Sequence, residues 1–213
     1  MNLRKDRPRW QRRSEDRPRE ICAAALEVFA EKGFAAAKLD DIARRAGVSK
    51  GTLYLYFKDK AELFQAAVRD AVAPNIQTVA AAANLHDTPF ADVVRQMLAT
   101  FAQVAQRKPI GSVAKMVIGE SNNFPELARV WHDEVASRAI ATIAGLIERA
   151  QQRGEVRPGD PRHHALSLLG PMVLGVLWQA TLVPAGGTPF DLDMLARQHA
   201  DAVLNGLLGG GDE

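Results

Sequence analysis

The sequence predicts an all-α chain, with a helix-turn-helix near its front and a larger helical remainder. Three observations predict this. Apolar residues recur at i, i+3, i+4 and i+7 in nearly every segment, and the alternation of a half-buried strand is absent. Gly33, Gly47, Pro109, Pro125 and the stretches GEVRPGDP and VPAGGTP stand where such helices would start or stop. Charge is also unevenly placed. Residues 1–60 hold 15 Lys and Arg against 9 Asp and Glu, whereas residues 61–213 hold 12 against 16, so a front of +6 precedes a remainder of −4. That split suits one part that meets a polyanion and another that does not.

Taken in order, residues 1–16 (MNLRKDRPRWQRRSED) are polar and charge-dense and predict a flexible basic arm, able to enter a minor groove or track phosphates. A first helix is predicted from about Arg17 to Lys32, on the stripe Ile21, Ala25, Val28 and Phe29, and Gly33 stops it. A shorter helix carries Leu39, Ile42, Ala43 and Ala46 on one face. Asp40 and Asp41 sit in its first turn, where the dipole favours acids, and Gly47 follows its end.

The next stretch, VSKGTLYLYFKDK (48–60), has the β-branched and aromatic content of a strand. A lone strand in a helical chain would leave its backbone groups unpaired, so residues 50–57 are predicted to be helical. Ser49 stands at the N-cap, where it can accept the N–H of Gly51 or Thr52, although Thr52 replaces the Glu or Gln of a full capping box. Leu53 and Phe57 form an i, i+4 pair that points inward. Gly51, Thr52 and Leu55 then face out, flanked by Tyr54 and Tyr56, with Lys50, Lys58 and Lys60 around them. This composition fits a major groove. Gly51 permits close backbone approach, Thr52 and Leu55 can meet a thymine methyl or base edge, and tyrosine hydroxyls and lysines can bind phosphates.

Downstream, Asp59 is placed to cap a long helix from Lys60 that carries Leu63, Phe64, Ala67 and Val68, which Pro74 should kink or interrupt. Further helices fit Phe90 to Gln106, Pro109 to about Gly119, Phe124 to about Arg153, Pro161 to Leu182 and Asp191 to Leu208.

The segment KLDDIARRAGVSKGTLYLYFKDKAELF (38–64) closely resembles the N-terminal signature of the TetR family of bacterial transcriptional regulators. The resemblance rests on Ile42-Ala43, Ala46-Gly47-Val48-Ser49, Gly51-Thr52-Leu53-Tyr54, Tyr56-Phe57 and Lys60-x-Glu62-Leu63. With the first helix it covers residues 17–77; GESNNFPELARVWHDEV (119–135) is a weaker likeness to some members' regulatory domains. It implies a three-helix DNA-binding domain over 17–77, a helical ligand-binding and dimerisation domain over 78–213, and a homodimer on a pseudo-palindromic double-stranded operator. The chain departs from the family at Ala37 and Lys38, where a Thr or Ser pair is usual. Ala37 cannot cap, and Lys38 can supply a different phosphate contact. Some members have a basic base-reading residue at the position of Asp40, and that role is not carried over.

In the remainder, Met97, Phe101, Met116, Trp131, Met172 and Trp178 are candidate linings of an apolar effector cavity, with His132 or Gln179 as polar anchors. Residues 164–182 (HALSLLGPMVLGVLWQATL) are apolar nearly all round, with Gly170 and Gly175 permitting close helix approach. They predict a dimer helix with Leu166, Leu169, Val173, Val176 and Leu177 at the interface, joined by Leu195 and Val203 from the last helix.

Other classes find little support. Cys22 is the only cysteine, which excludes an intramolecular disulfide and predicts a small buried helix residue. The adjacent His163 and His164 lack a third ligand, and no nucleophile–base pair or phosphate loop is present, so neither a metal, a cofactor nor catalysis is predicted. The best apolar run, Leu166 to Leu177, is too short for a membrane span, and the basic N-terminus has no apolar stretch behind it, so a cytoplasmic protein is expected. The predicted function is a dimeric repressor released from its operator by a small lipophilic or aromatic ligand. The alternative is a DNA-binding activator or architectural factor controlled by a protein partner.

Overall fold

The computed structural model describes residues 9–83 and 88–208, with side chains over 16–71 and 88–208. No strand occurs among the described residues, where β pairing is limited to an isolated bridge between Val156 and Leu208. The chain divides into two compact units, Met1–Ala71 and Val72–Glu213.

In the first unit α1 runs Arg9–Ala36, α2 Leu39–Arg45 and α3 Lys50–Tyr56, and α4 (Lys60–Ala83) begins there. The predicted stripe is buried: Ile21, Ala25, Val28 and Phe29 lie in the core, as do Ile42, Leu53, Leu63 and Phe64. Three phenylalanines anchor it, with ring centroids 5.5 Å apart for Phe29–Phe34 and Phe29–Phe64, and 5.8 Å for Phe34–Phe64. Gly33 does stop the regular helix. Its φ of 76° is left-handed, a conformation that favours glycine, and the chain turns there before Phe34 enters the core.

Two expectations need correction. Residues 9–16 are helical and continuous with α1, which passes through Pro18; the rest of the predicted arm, residues 1–8, lies outside the described residues. A proline inside a helix removes one N–H, and the surrounding turns can bridge that loss. Likewise α4 is not interrupted at Pro74 but continues to Ala83.

The second unit holds α5 (Phe90–Arg107), α6 (Ile110–Glu120), α7 (Pro125–Trp131), α8 (Ser137–Gln152), α9 (Pro161–Thr181) and α10 (Leu192–Leu207). Its core joins Val94 and Leu98 of α5, Ile147 of α8, Leu168 and Met172 of α9, and Ala200 and Leu204 of α10. The single long helix predicted from Phe124 is three pieces, because a π turn spans His132–Ala136 between α7 and α8. Leu127 and Ile143 are both buried, yet on an unbroken helix their spacing would set them about 160° apart. The wider turn takes up an extra residue and brings both faces toward the core. No helix among the described residues is long and apolar enough to cross a membrane.

Candidate nucleic-acid interface

The turn between α2 and α3 is built from the residues that predicted it. Gly47 has φ 65°, its N–H donates to the Arg44 carbonyl at 3.2 Å, and the Val48 N–H donates to Ala43 at 2.9 Å, closing the end of α2. Ser49 then caps α3. Its Oγ accepts the Thr52 N–H at 3.0 Å and lies 2.8 Å from the Thr52 hydroxyl. The Thr52 hydroxyl thus adds a side-chain contact to the cap, a different one from the bond to the Ser49 N–H that a Glu or Gln at its position would make. This commits Ser49, a predicted DNA contact, first to shaping the helix.

Within α3 the two faces separate as the wheel predicts. Leu53 is fully buried, and Phe57 just beyond the helix end is buried beside it. Leu55 is 83% exposed and Tyr54 about half exposed, while Gly51 is open and Thr52 and Tyr56 are partly covered. A Cβ on Gly51 would meet only the Ser49 hydroxyl, at 3.8 Å, so the helix surface is flat there and open to close approach. Leaving a leucine this exposed on a two-turn helix fits a surface that meets something else.

The charges around this face are arranged unequally. Lys38 and Lys58 are exposed. Lys38 occupies the N-cap of α2 without a side-chain hydrogen bond, as the absence of Thr or Ser there predicts. Lys50 is held by Asp40, Nζ to Oδ1 2.8 Å, and that hydrogen bond, followed by the carboxylate charge, raises the ammonium pKa above its ordinary value. Lys60 is turned away from the surface. Its Nζ donates to the carbonyls of Phe34 (2.6 Å), Ala37 (3.1 Å) and Ala35 (3.2 Å), and it lies 4.5 Å from the centroid of the Phe34 ring. Asp59 accepts the Glu62 N–H at 2.8 Å, and the Glu62 carboxylate accepts the Lys58 N–H at 2.8 Å, so the start of α4 is capped from both sides.

The helices carrying this face are pinned together by ion pairs that the apolar pattern could not reveal. Arg45 of α2 grips Glu31 of α1 with two 2.7 Å bonds and reaches Glu27 at 3.3 Å, which raises its already high pKa. Asp41 bonds Lys32 at 2.7 Å and pairs with Arg44; the Lys32 hydrogen bond leads in holding its carboxyl below the usual range.

Residues 21–67 match the family model described as bacterial regulatory proteins, tetR family, and residues 86–203 match the tetracyclin repressor-like C-terminal domain. The chain belongs to the TetR family. This TetR-family protein is thus a DNA-binding transcriptional regulator. It is 29% identical to the repressor BepR of Brucella suis biovar 1 over 74% of this chain and 77% of that one. It is 26% identical to the fatty acid metabolism regulator of Bacillus subtilis over 88% of this chain and 94% of the relative. Among solved structures it resembles a SmeT–triclosan complex, at 27% identity and a TM-score of 0.73, covering 92% and 93% of the two chains.

In the regulatory half of this TetR-family chain, the predicted effector residues fall in different places. Met97 and Met172 share the buried core, with Phe101 packed against it. Met116 is buried on α6 and Trp131 half-buried on α7. His132 is exposed, its ring nitrogens 2.8 Å from Asp133 and 2.8 Å from Ser137, so it lies outside the core. Trp178 donates to the Thr188 carbonyl at 2.9 Å and Gln179 to that of Phe190 at 2.6 Å, so both tie down the α9–α10 connection. Sequence reasoning missed Glu134, buried in the π turn and paired with Arg138 at 2.9 Å. A glutamate on an amphipathic helix reads as solvated, and only the changed register turns this one inward.

The dimer candidates also divide. Leu166, Val173 and the unpredicted Leu174 are exposed on α9 alongside Gly170, whose Cβ position meets nothing within 4 Å. Leu169, Leu177, Leu195 and Val203 are half-buried, and all but Leu177 pack on the subunit's own core. Val176 is buried inside the subunit, so its place at an interface is withdrawn. His163 lies 3.4 Å from Asp160, and no group of three potential metal ligands occurs among the described residues.

Proposed function

We propose that this protein is a homodimeric repressor that a small lipophilic or aromatic ligand releases from a double-stranded DNA operator. Residues 17–77 form the DNA-binding head and residues 78–213 the ligand-binding and dimerisation domain. The observation that carries the reading is the outward face of α3, where Tyr54 and Leu55 are exposed and Thr52 is partly so, while Leu53 and Phe57 hold the helix down. The apolar stripe Leu166, Gly170, Val173 and Leu174 supports a second copy against α9. The relatives support the sign and the ligand class: BepR is a repressor, and SmeT, 27% identical, forms a complex with the aromatic compound triclosan. Release is an equilibrium shift, limited by the ligand's differential affinity for the DNA-fitting and non-fitting states of the dimer.

The test is binding of the purified protein to the DNA upstream of its own gene, titrated with lipophilic and aromatic compounds. A sequence-specific complex that one compound class dissociates is expected. Absence of any specific complex with promoter-proximal DNA would overturn the reading.

A further inference from the structure

The ion pair at the edge of the reading face bears on which bases are read, an inference that rests on the DNA-binding function proposed above. Lys50 is the first residue of α3, and Asp40 lies in the first turn of α2. Nζ and Oδ1 are 2.8 Å apart, yet the two side chains remain 56% and 60% exposed. An exposed pair of this kind adds little to folding. An acid at this position also opposes phosphate, which is the main source of sequence-independent affinity. The helix dipole accounts for an acid in the first turn of α2, but not for its pairing with the first residue of the recognition helix.

The chemistry of the couple supplies one. A lysine ammonium only donates and an ionised carboxylate only accepts, and here the two are held side by side. In the major groove a G·C pair presents guanine N7 and O6 as acceptors and cytosine N4 as a donor, and lysine and aspartate are suited to those two bases respectively. Side chains at the start of a recognition helix are the ones that reach base edges in a helix-turn-helix. Lys50 holds that position, and the next residue, Gly51, leaves the helix surface flat there.

The geometry points to Asp40 and Lys50 as one specificity-determining couple that reads a single G·C pair in each half-site, with Lys50 donating to guanine and Asp40 accepting from cytosine N4. Asp40 thus reads a base as an acceptor, beside a lysine that reads its partner base as a donor.

The experiment is selection of bound duplexes from a random library by the full-length wild type, Asp40→Ala and Lys50→Ala, followed by competition with single-position variants of the selected operator. The wild type should select one G·C pair per half-site and lose about tenfold to a hundredfold in affinity when that pair becomes A·T. Both variants should accept G·C and A·T about equally at that position while keeping every other preference. Asp40→Ala should also bind a scrambled duplex more tightly than the wild type. Unchanged preferences in both variants, loss of preference at all positions together, or no G·C requirement in the wild type would each overturn the assignment. A wild type that selects no sequence at all defeats the DNA-binding function itself, and so is distinguishable from those results.

Discussion

Gly111 on α6 lies directly against the backbone of Val176 on α9. A Cβ added to the glycine would stand 2.3 Å from the Val176 carbonyl oxygen and 2.9 Å from its carbon. Helix backbone cannot rotate aside as a side chain can, so the two helices would have to separate. Gly111→Ala should destabilise the second unit by about 1–3 kcal/mol. Gly119→Ala on the same helix meets nothing within 4 Å and should be neutral or stabilising by about 0.5 kcal/mol. Denaturant midpoints of the two variants check this, and equal midpoints would contradict it.

Lys60 folds back onto the end of α1 and the residue beyond it, donating to the carbonyls of Phe34, Ala35 and Ala37. Lys60→Met keeps much of the stem and removes the donor, so the first unit should lose about 1–3 kcal/mol. Lys58→Met, at an exposed residue, should stay within about 0.5 kcal/mol of wild type. Unfolding followed on the N-terminal unit distinguishes the two lysines.

Leu53 and Leu55 are two residues apart and should answer opposite questions. Leu53→Ala empties a fully buried site and should cost about 2–5 kcal/mol of stability. Leu55→Ala should change stability by less than about 0.5 kcal/mol and instead weaken operator binding. Denaturation and DNA titration on the same preparations test both; a Leu55→Ala protein that binds the operator like wild type would remove this leucine from the interface.

The exposed stripe of α9 predicts an association measurable by sedimentation. Leu174→Glu, at 64% exposure, should shift a dimer toward monomer at micromolar concentration. Ile118→Glu, at 65% exposure on α6, should leave association unchanged. A wild type that sediments as a monomer would contradict the dimer.

Cys22 is buried on α1, and desolvation, followed by the Asp70 carboxylate, pushes its thiol up to about 12. The native protein should resist a thiol reagent at pH 8 and react on unfolding. Because the folded pKa is raised, this group's contribution to stability is full below about pH 9 and is lost as pH rises toward 12. A Cys22→Ser variant, which lacks the titrating thiol, should show a shallower alkaline decline in unfolding free energy than wild type.

The DNA-reading motif was legible because its signals are local. A left-handed glycine at 47, a cap at Ser49 and an i, i+4 pair at Leu53 and Phe57 need only neighbouring residues, and helical context outweighed the strand propensity of Thr52 to Phe57. The candidate effector and dimer residues were less legible, since each depends on which face of an apolar helix meets which neighbour. Helix α9 is apolar nearly all round, and its sequence does not say that Val176 points inward while Leu174 points out.

The sequence by itself determined the helical class, the turn between α2 and α3, and the family, because caps, glycines and periodicity act over a few residues. Tertiary structure alone decided the partners of the charges and the registers of the helices. Lys60 folds back onto α1, Glu134 turns inward through a π turn, and Lys50 meets Asp40 across two helices. Those outcomes depend on how each helix packs against its neighbours, which caps and periodicity over a few residues do not specify.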